Sequence, residues 1–136
     1  MKTTIKVLSL FLIVMVVASS CKKNTQVVKK LDGTWKIESQ TVDGANDTTD
    51  FSSDRIEFEK CNVNKEDCPG SITSGGTTLA FTYTVSGDGS SVTIKYTVFG
   101  FTVEQVYEIL DLSKTEMHTK YTDEYGTVYD THWSKL

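Results

Sequence analysis

The most reactive side chains in this 136-residue sequence belong to three cysteines and two histidines. Cys61 and Cys68 bound the short stretch CNVNKEDC, and an even pair in an exported chain predicts a disulfide. So short a crosslink stabilises a domain by roughly 2 to 3 kcal/mol on chain-entropy arguments. A zinc site would need further ligands nearby. His118 and His132 lie far along the chain, so the sequence predicts no metal.

The two histidines also raise the question of acid–base chemistry, because they lie near Asp123, Glu124 and Asp130. Strand alternation places His118 and His132 opposite the aromatic residues of their strands, which indicates that they face solvent. The sequence contains no nucleophile motif, no phosphate-binding glycine loop and no metal-ligand constellation. It therefore predicts neither an enzyme nor a cofactor.

The first twenty residues have the three parts of an export signal. Lys2 and Lys6 stand at the front, the apolar run VLSLFLIVMVVA follows, and two serines precede Cys21. A helix that crosses a bilayer needs about 20 apolar residues, and this run is shorter. We therefore expect residues 1–20 to be a cleaved signal peptide.

The stretch ASSC resembles the lipobox of bacterial lipoproteins, in which small residues precede a cysteine that receives a diacylglycerol before cleavage. The resemblance implies that Cys21 is acylated and anchors the chain in the cell envelope, in the outer membrane of a Gram-negative bacterium. Stable anchoring needs two or more acyl chains, which such a cysteine would have. Lys22, rather than Asp, after the cysteine fits outer-membrane sorting in lipoproteins of this kind. Plain secretion and an uncleaved anchor remain the alternatives, and periplasmic and surface exposure stay open.

The residues after Cys21, KKNTQVVKK, are basic and contain few apolar side chains. Such a segment buries too little surface to order itself alone, so residues 21–30 are predicted to be a tether. Residues 26–30 either form a single helical turn or stay extended. The lysines either attract anionic lipid headgroups or simply aid solubility.

The chain that remains after cleavage has 116 residues, which suits one domain, placed at residues 31–136. Its 12 basic and 18 acidic residues give a net charge of about −6. Phosphate binding needs a concentrated basic face, so nucleic acid is excluded as a partner.

That domain reads as a succession of strands. TLAFTYTV and SVTIKYTV alternate apolar and polar residues, and the glycines of the intervening SGDGS suit a tight hairpin turn. The same alternation recurs in DRIEFEK, FTVEQVYEIL, EMHTKYT and GTVYDTHW. Short turns leave hardly any room for crossover helices, which predicts an all-β antiparallel meander that forms a barrel or a sandwich.

The opening stretch LDGTWKIES, residues 31–39, resembles the first strand of lipocalin-like proteins. The whole chain, with its lipobox, basic segment and aromatic final strand, resembles small lipocalin-like lipoproteins of Bacteroidetes-type bacteria. The resemblance implies an up-and-down barrel of eight strands, in which Gly33 permits a tight start and Trp35 packs across the floor. The family's arginine over that Trp is missing, and Lys135 or Arg55 would replace it by a cation–π contact.

Small barrels of this kind are either filled by side chains or hold one small ligand. Gln105 lies on an otherwise apolar face, so its amide needs a polar partner, either a ligand or Thr119 or Thr131. The first hypothesis is an envelope protein that binds a small apolar molecule, which requires a connected cavity of roughly 300 Å3 or more. The second is a protein-interaction module, an inhibitor or accessory subunit of an envelope complex, that uses loop 43–54 or the disulfide loop. The candidate ligand-binding residues are Phe58, Phe81, Tyr83, Tyr96, Gln105 and Tyr107, for each of which a plain core role is the alternative, as it is for Val103.

Overall fold

A computed structural model describes residues 23–62 and 67–136. The predicted leader and Cys21 lie outside the described residues. Within the described part, one helix precedes the strands: α1 spans residues 23–31. The strands are β1 (Gly33–Val42), β2 (Ala45–Asn46), β3 (Arg55–Phe58), β4 (Cys68–Ser74), β5 (Thr77–Val85), β6 (Ser91–Val98), β7 (Phe101–Leu112), β8 (Glu116–Thr122) and β9 (Val128–Lys135).

The strands form an antiparallel meander that closes on itself. Neighbours in the chain pair in order from β3 to β9, while β1 pairs with β3 at one end and with β9 along most of its length. The two-residue β2 only extends the turn after β1. Register shifts in β1 and β7 mark bulges, which bend strands where a small barrel has to curve. The predicted all-β barrel of eight strands is confirmed, and the sandwich is excluded.

Alternation decides which side chains fill the interior. Along β5, Phe81, Tyr83 and Val85 are buried while the threonines between them are exposed. In β6, Val92 and Ile94 are buried opposite them, as the period of two predicts. The hairpin predicted around SGDGS joins these two strands.

The segment predicted as a tether differs from the expectation. Residues 23–31 form helix α1, which is longer than a single turn, and Val28 and Leu31 on one face of it are buried. The Asn24 side chain donates a hydrogen bond to the Val85 carbonyl, 3.0 Å away. A nine-residue helix is unstable alone, so packing against the barrel holds it in place. The helix therefore covers one end of the barrel, called the closed end below.

The closed end also contains the disulfide. Cys61 is bonded to Cys68 with 5.4 Å between their Cα atoms. Because Cys68 begins β4, the bond ties the connection after β3 to the rim of the barrel. The opposite end, called the open end, contains the turns at residues 75–76, 99–100 and 123–127. No helix in the described ranges combines the length and the hydropathy that a membrane crossing requires.

Candidate functional site

The floor of the barrel is built around Trp35. Its side chain is completely buried, and its indole N–H donates to the Leu31 carbonyl at 2.7 Å. Lys135 on the last strand places its ammonium 4.8 Å from the centre of the Trp35 ring. Lys135, and not Arg55, therefore makes the cation–π contact. Gly33 has φ +126°, a backbone conformation that L side chains rarely adopt.

Three aromatic side chains fill the interior above this floor. The rings of Phe58, Phe81 and Tyr83 meet edge to face, with centroids 5.0 to 6.3 Å apart. The Tyr83 hydroxyl donates to the Glu59 carbonyl at 3.1 Å. Burial, together with the charges of Asp32 and Glu59, raises the pKa of Tyr83 to about 12. Phe81 and Tyr83 are therefore core residues and do not line the cavity described next.

An apolar cavity of about 110 Å3 lies beside this core and extends to Ser74, which precedes the open-end turn at residues 75–76. Its wall includes Trp133, whose indole N–H donates to the Thr119 hydroxyl at 2.9 Å. Phe58 and Tyr107 are the predicted ligand-binding residues that reach it. The other apolar lining residues are Ile37, Ile56, Ile72, Val92, Ile94 and Met117, and the other polar ones are Asp54, Arg55 and Ser74.

A wider and more polar space of about 420 Å3, called the vestibule below, adjoins the cavity toward the open end. Both spaces share Ile37, Tyr107 and Trp133 in their walls. A row of stacked tyrosines lines the vestibule, with 5.0 Å between the ring centres of Tyr107 and Tyr121 and 5.8 Å between those of Tyr121 and Tyr129. The remaining lining residues are Gln40, Gln105, Asp123 and Thr131.

The amide of Gln105 is bonded to these tyrosines. It accepts from the Tyr107 hydroxyl at 3.0 Å, and its NH2 group donates to the Tyr121 hydroxyl at 3.4 Å. The threonines expected as its partners bond elsewhere: Thr119 accepts from Trp133, and Thr131 donates to Gln40 at 2.8 Å. Burial raises the pKa of Tyr107, so its hydroxyl stays protonated and available as a donor.

The other predicted lining residues have different surroundings. Tyr96 is half-buried against the core and lines neither the cavity nor the vestibule. Val103 is half-buried on β7, one alternation step from Gln105. The vestibule tyrosines Tyr121 and Tyr129, which are cross-strand partners, were not among the residues predicted to bind a ligand. Their alternation with polar residues along β8 and β9 is the sequence pattern that could have identified them as inward.

The two histidines lie on the outer face of the barrel, in contact with each other. Their rings stack with centres 4.0 Å apart. The Nε2 atom of His118 lies 2.6 Å from an oxygen of Asp130, which forms a hydrogen-bonded pair. The acidic residues Asp123 and Glu124 take no part in this contact.

Comparisons with known proteins agree with this architecture. Residues 31–119 match the family described as lipocalin-like domain. Among solved structures, a redesigned β-barrel has a TM-score of 0.50 at 18% identity, with 81% of this chain and 95% of that chain covered. A lipocalin-like protein from Bacteroides uniformis has a TM-score of 0.47 at 19% identity, with coverage of 79% and 99%. A bovine odorant-binding protein has a TM-score of 0.45 at 17% identity, with coverage of 79% and 74%. No curated protein sequence matches the chain.

Proposed function

Since the chain belongs to the lipocalin-like domain family, we propose that its barrel binds one small amphipathic molecule. The apolar part of the molecule occupies the interior cavity and its polar part lies in the vestibule. Barrels of eight strands are just wide enough to be filled by side chains or to hold one small ligand. The observation that carries the proposal is that an apolar cavity adjoins a polar space that opens at one end of the barrel.

The volumes limit the size of the ligand. At about 110 Å3, the cavity is smaller than the roughly 300 Å3 expected of a complete ligand pocket. It is closer to the roughly 150 Å3 space that accommodates a benzene ring in another protein. The cavity therefore suits one small ring or a short alkyl chain. The rest of the ligand has to occupy the vestibule, which is about 420 Å3.

The vestibule also limits the chemistry of the polar part. Its amide and hydroxyl groups suit a ligand hydroxyl or amide, because each of them can donate as well as accept. Among the described residues that line the vestibule, one has a charged side chain, Asp123. A carboxylate on the ligand would be repelled there, so a neutral or cationic head group is favoured.

A series of straight-chain alcohols from butanol to decanol tests the proposal by calorimetric titration. Each CH2 that enters the cavity contributes about 0.8 kcal/mol, so affinity rises about fourfold per carbon until the cavity is full. Beyond that length the increase becomes smaller. Native mass spectrometry of protein purified without detergent complements this by detecting a co-purified molecule.

A variant that fills the cavity and a matched control identify the site. Ile72→Phe adds volume to a cavity-lining position, whereas Val106→Phe makes the same kind of change on the exposed face of β7. We expect the first to abolish alcohol binding and the second to leave it unchanged. Equal binding by Ile72→Phe and the original protein would place the ligand elsewhere and refute the proposal.

Anchoring at Cys21 is the second part of the proposed function. Helix α1 begins at residue 23 and packs on the closed end. Two residues span at most about 7 Å, so an acylated Cys21 would hold the closed end against the membrane and leave the vestibule facing away. A Cys21→Ala variant should then leave the outer-membrane fraction and the detergent phase. A variant that stays membrane-bound would contradict the proposed anchor, and this result would leave the ligand-binding proposal untouched.

A protein-binding role for the open end is the second candidate, favoured by one observation. Phe99 in the turn between β6 and β7 is 95% exposed at φ 49°, a conformation that is unusual for a bulky residue. Phe101 and Tyr125 are also exposed at this end. Photo-crosslinking from position 99 in cells, with position 106 as the control, tests this role. Capture of one partner from position 99 alone would support it, and identical patterns at both positions would exclude it.

A further inference from the structure

Three side chains that commonly bind metal ions meet on the outer face of the hairpin formed by β8 and β9. They are His118, Asp130 and His132, called the His–Asp–His cluster below. One ligand atom from each lies within 4.8 Å of the other two. The cluster is distinct from the apolar cavity, because none of its three side chains lines that cavity.

The backbone fixes these side chains relative to one another. His118 and His132 are direct partners in the pairing of β8 with β9, and Asp130 is two residues before His132 on the same face. The hairpin pairs through seven consecutive residue pairs. Cross-strand partners have Cβ atoms roughly 5 Å apart, so both rings start from positions close enough to share one ion.

The nitrogen atoms of both rings converge on one carboxylate oxygen. Nε2 of His118 lies 2.6 Å and Nε2 of His132 lies 3.9 Å from the same Asp130 oxygen. The hydrogen bond between His118 and Asp130 explains why these two side chains meet, but it does not explain why His132 also lies beside the same oxygen. The two stacked rings, whose centres are 4.0 Å apart, bring two imidazoles to one carboxylate, and imidazole and carboxylate are both ligands that zinc accepts.

From this convergence we propose that the His–Asp–His cluster binds a divalent transition-metal ion, with Zn2+ as the best match. Two imidazole nitrogens and one carboxylate oxygen form a three-ligand set that leaves a position for water. Ligand atoms around tetrahedral zinc are about 3.3 Å apart, given bond lengths of about 2 Å. The side chain of His132 is 56% exposed and has room to move the required distance.

The surroundings of the cluster favour a cation. The shallow depression that contains the two histidines is also lined by Glu38, Asp111 and Glu116. Asp111 is the cross-strand partner of His118 on β7, which makes it the nearest fourth ligand in the backbone register. Glu38 is already paired with Lys36 at 2.8 Å. Lys120, the cross-strand partner of Asp130, is a basic residue beside the cluster, and it is outnumbered by these acidic residues.

Titration of the full-length chain in detergent with Zn2+ tests the proposal. The chain contains two histidines, so an untagged preparation has no other imidazole. We expect saturable binding of one Zn2+ per chain, and a visible absorption band from Co2+ that is typical of nitrogen and oxygen ligands. Trp133 follows His132 and also lines the depression, so Cu2+ at the site should quench its fluorescence.

Substitutions identify the ligands. His118→Gln and His132→Gln should each weaken Zn2+ binding at least tenfold, and Asp130→Asn should weaken it to a similar extent. Glu57→Gln removes an exposed carboxylate on β3 and serves as the matched control, with no expected change. Absence of saturable Zn2+ binding, or equal affinity in the two histidine variants and the original protein, would overturn the proposal. The Co2+ band of the original protein keeps the test valid if a variant fails to fold.

Discussion

Replacement of Trp35 by Ala tests whether the closed end holds the barrel together. The side chain is completely buried between α1 and the last strand. Truncation of a buried Trp costs about 3 to 5 kcal/mol, because the neighbours fill the vacated space only in part. We expect a loss in this range, which is a large share of the 5 to 15 kcal/mol that stabilises a domain.

The contacts of Trp35 explain why the loss should fall toward the upper part of that range. The Leu31 carbonyl would lose the indole donor at 2.7 Å, and such a bond contributes about 1 kcal/mol. Lys135 would lose the ring under its ammonium, a contact of about 0.5 to 1 kcal/mol at a partly exposed site. Leu31 and Val28 pack into the same core cluster as Trp35, so truncation of Trp35 would leave a new empty space beneath α1.

Urea unfolding followed by circular dichroism measures the loss, with Trp133→Ala as the matched control. Trp133 is only half-buried and borders a cavity that already exists, so its truncation removes fewer contacts. We expect the Trp133 variant to lose less free energy of unfolding than the Trp35 variant. Equal stability of Trp35→Ala and the original protein, or a larger loss for Trp133→Ala, would refute the floor role.

Three further predictions address the helix, the open end and the buried tyrosine. Leu31→Ala should lower the free energy of unfolding by about 2 to 5 kcal/mol, because α1 is part of the core. Lys29→Ala, at an exposed position of the same helix, should change it little. Equal urea midpoints for the two variants would show that residues 23–31 act only as a tether. Phe99→Asn should raise the free energy of unfolding by up to about 1 kcal/mol, because Phe99 (φ 49°) and Gly100 (φ 84°) form a two-residue turn that Asn-Gly favours. Phe101→Asn, outside the turn, should not raise it. A lower urea midpoint for Phe99→Asn than for the original protein would contradict this prediction. Tyr83 has a folded-state pKa of about 12 against an ordinary value near 10, so its neutral form stabilises the fold below pH 10 and this contribution is lost as the pH rises through 12. Urea midpoints of Tyr83→Phe should therefore fall less steeply between pH 10 and 12 than those of the original protein, and parallel curves would count against the burial of this hydroxyl.

The strand pattern of the sequence was sufficient to predict the antiparallel meander, because a meander is a local architecture. Alternation in β5 and β6 identified Phe81, Tyr83, Val92 and Ile94 as inward residues, and a period of two fixes the face of every residue once one is known. Short turns then leave sequential neighbours as the natural partners. Closure of β1 onto β9 is a contact across almost the whole chain, and it came from the family resemblance rather than from periodicity.

The candidate site was predictable only in part. Gln105 was recognised as an unusual residue on an apolar face, but its partners depend on the register of β7 against β8, which places Tyr107 beside Tyr121. The division of the interior into a filled core and a small cavity depends on how Phe58, Phe81 and Tyr83 share space. Alternation states which way a side chain points, and it does not state how much room remains between opposite walls.

The sequence offered a single helical turn over residues 26–30 as one alternative, and the full length of helix α1 was missed because its stability comes from tertiary contacts. The segment contains few apolar residues, and Leu31 was assigned to the barrel domain as the residue before its first strand. In the structure, Val28 and Leu31 are three positions apart and therefore lie on one helical face, which the closed end of the barrel buries. The composition of such a short helix resembles that of a linker. The helix can therefore be predicted only from the surface of the barrel that it covers.

The hairpin of β8 and β9 shows how one element contributes to two sites. Its inner face supplies Thr119 and Trp133 to the cavity wall, and its outer face supplies the His–Asp–His cluster. An ion bound to His118 and His132 would join the two strands directly behind that wall and restrict its motion. If the bound molecule needs the wall in the same position, binding of the ion and binding of the molecule would each strengthen the other by the same factor, since coupling between two sites is reciprocal. The outer cluster would then affect ligand affinity although it contacts no part of the ligand.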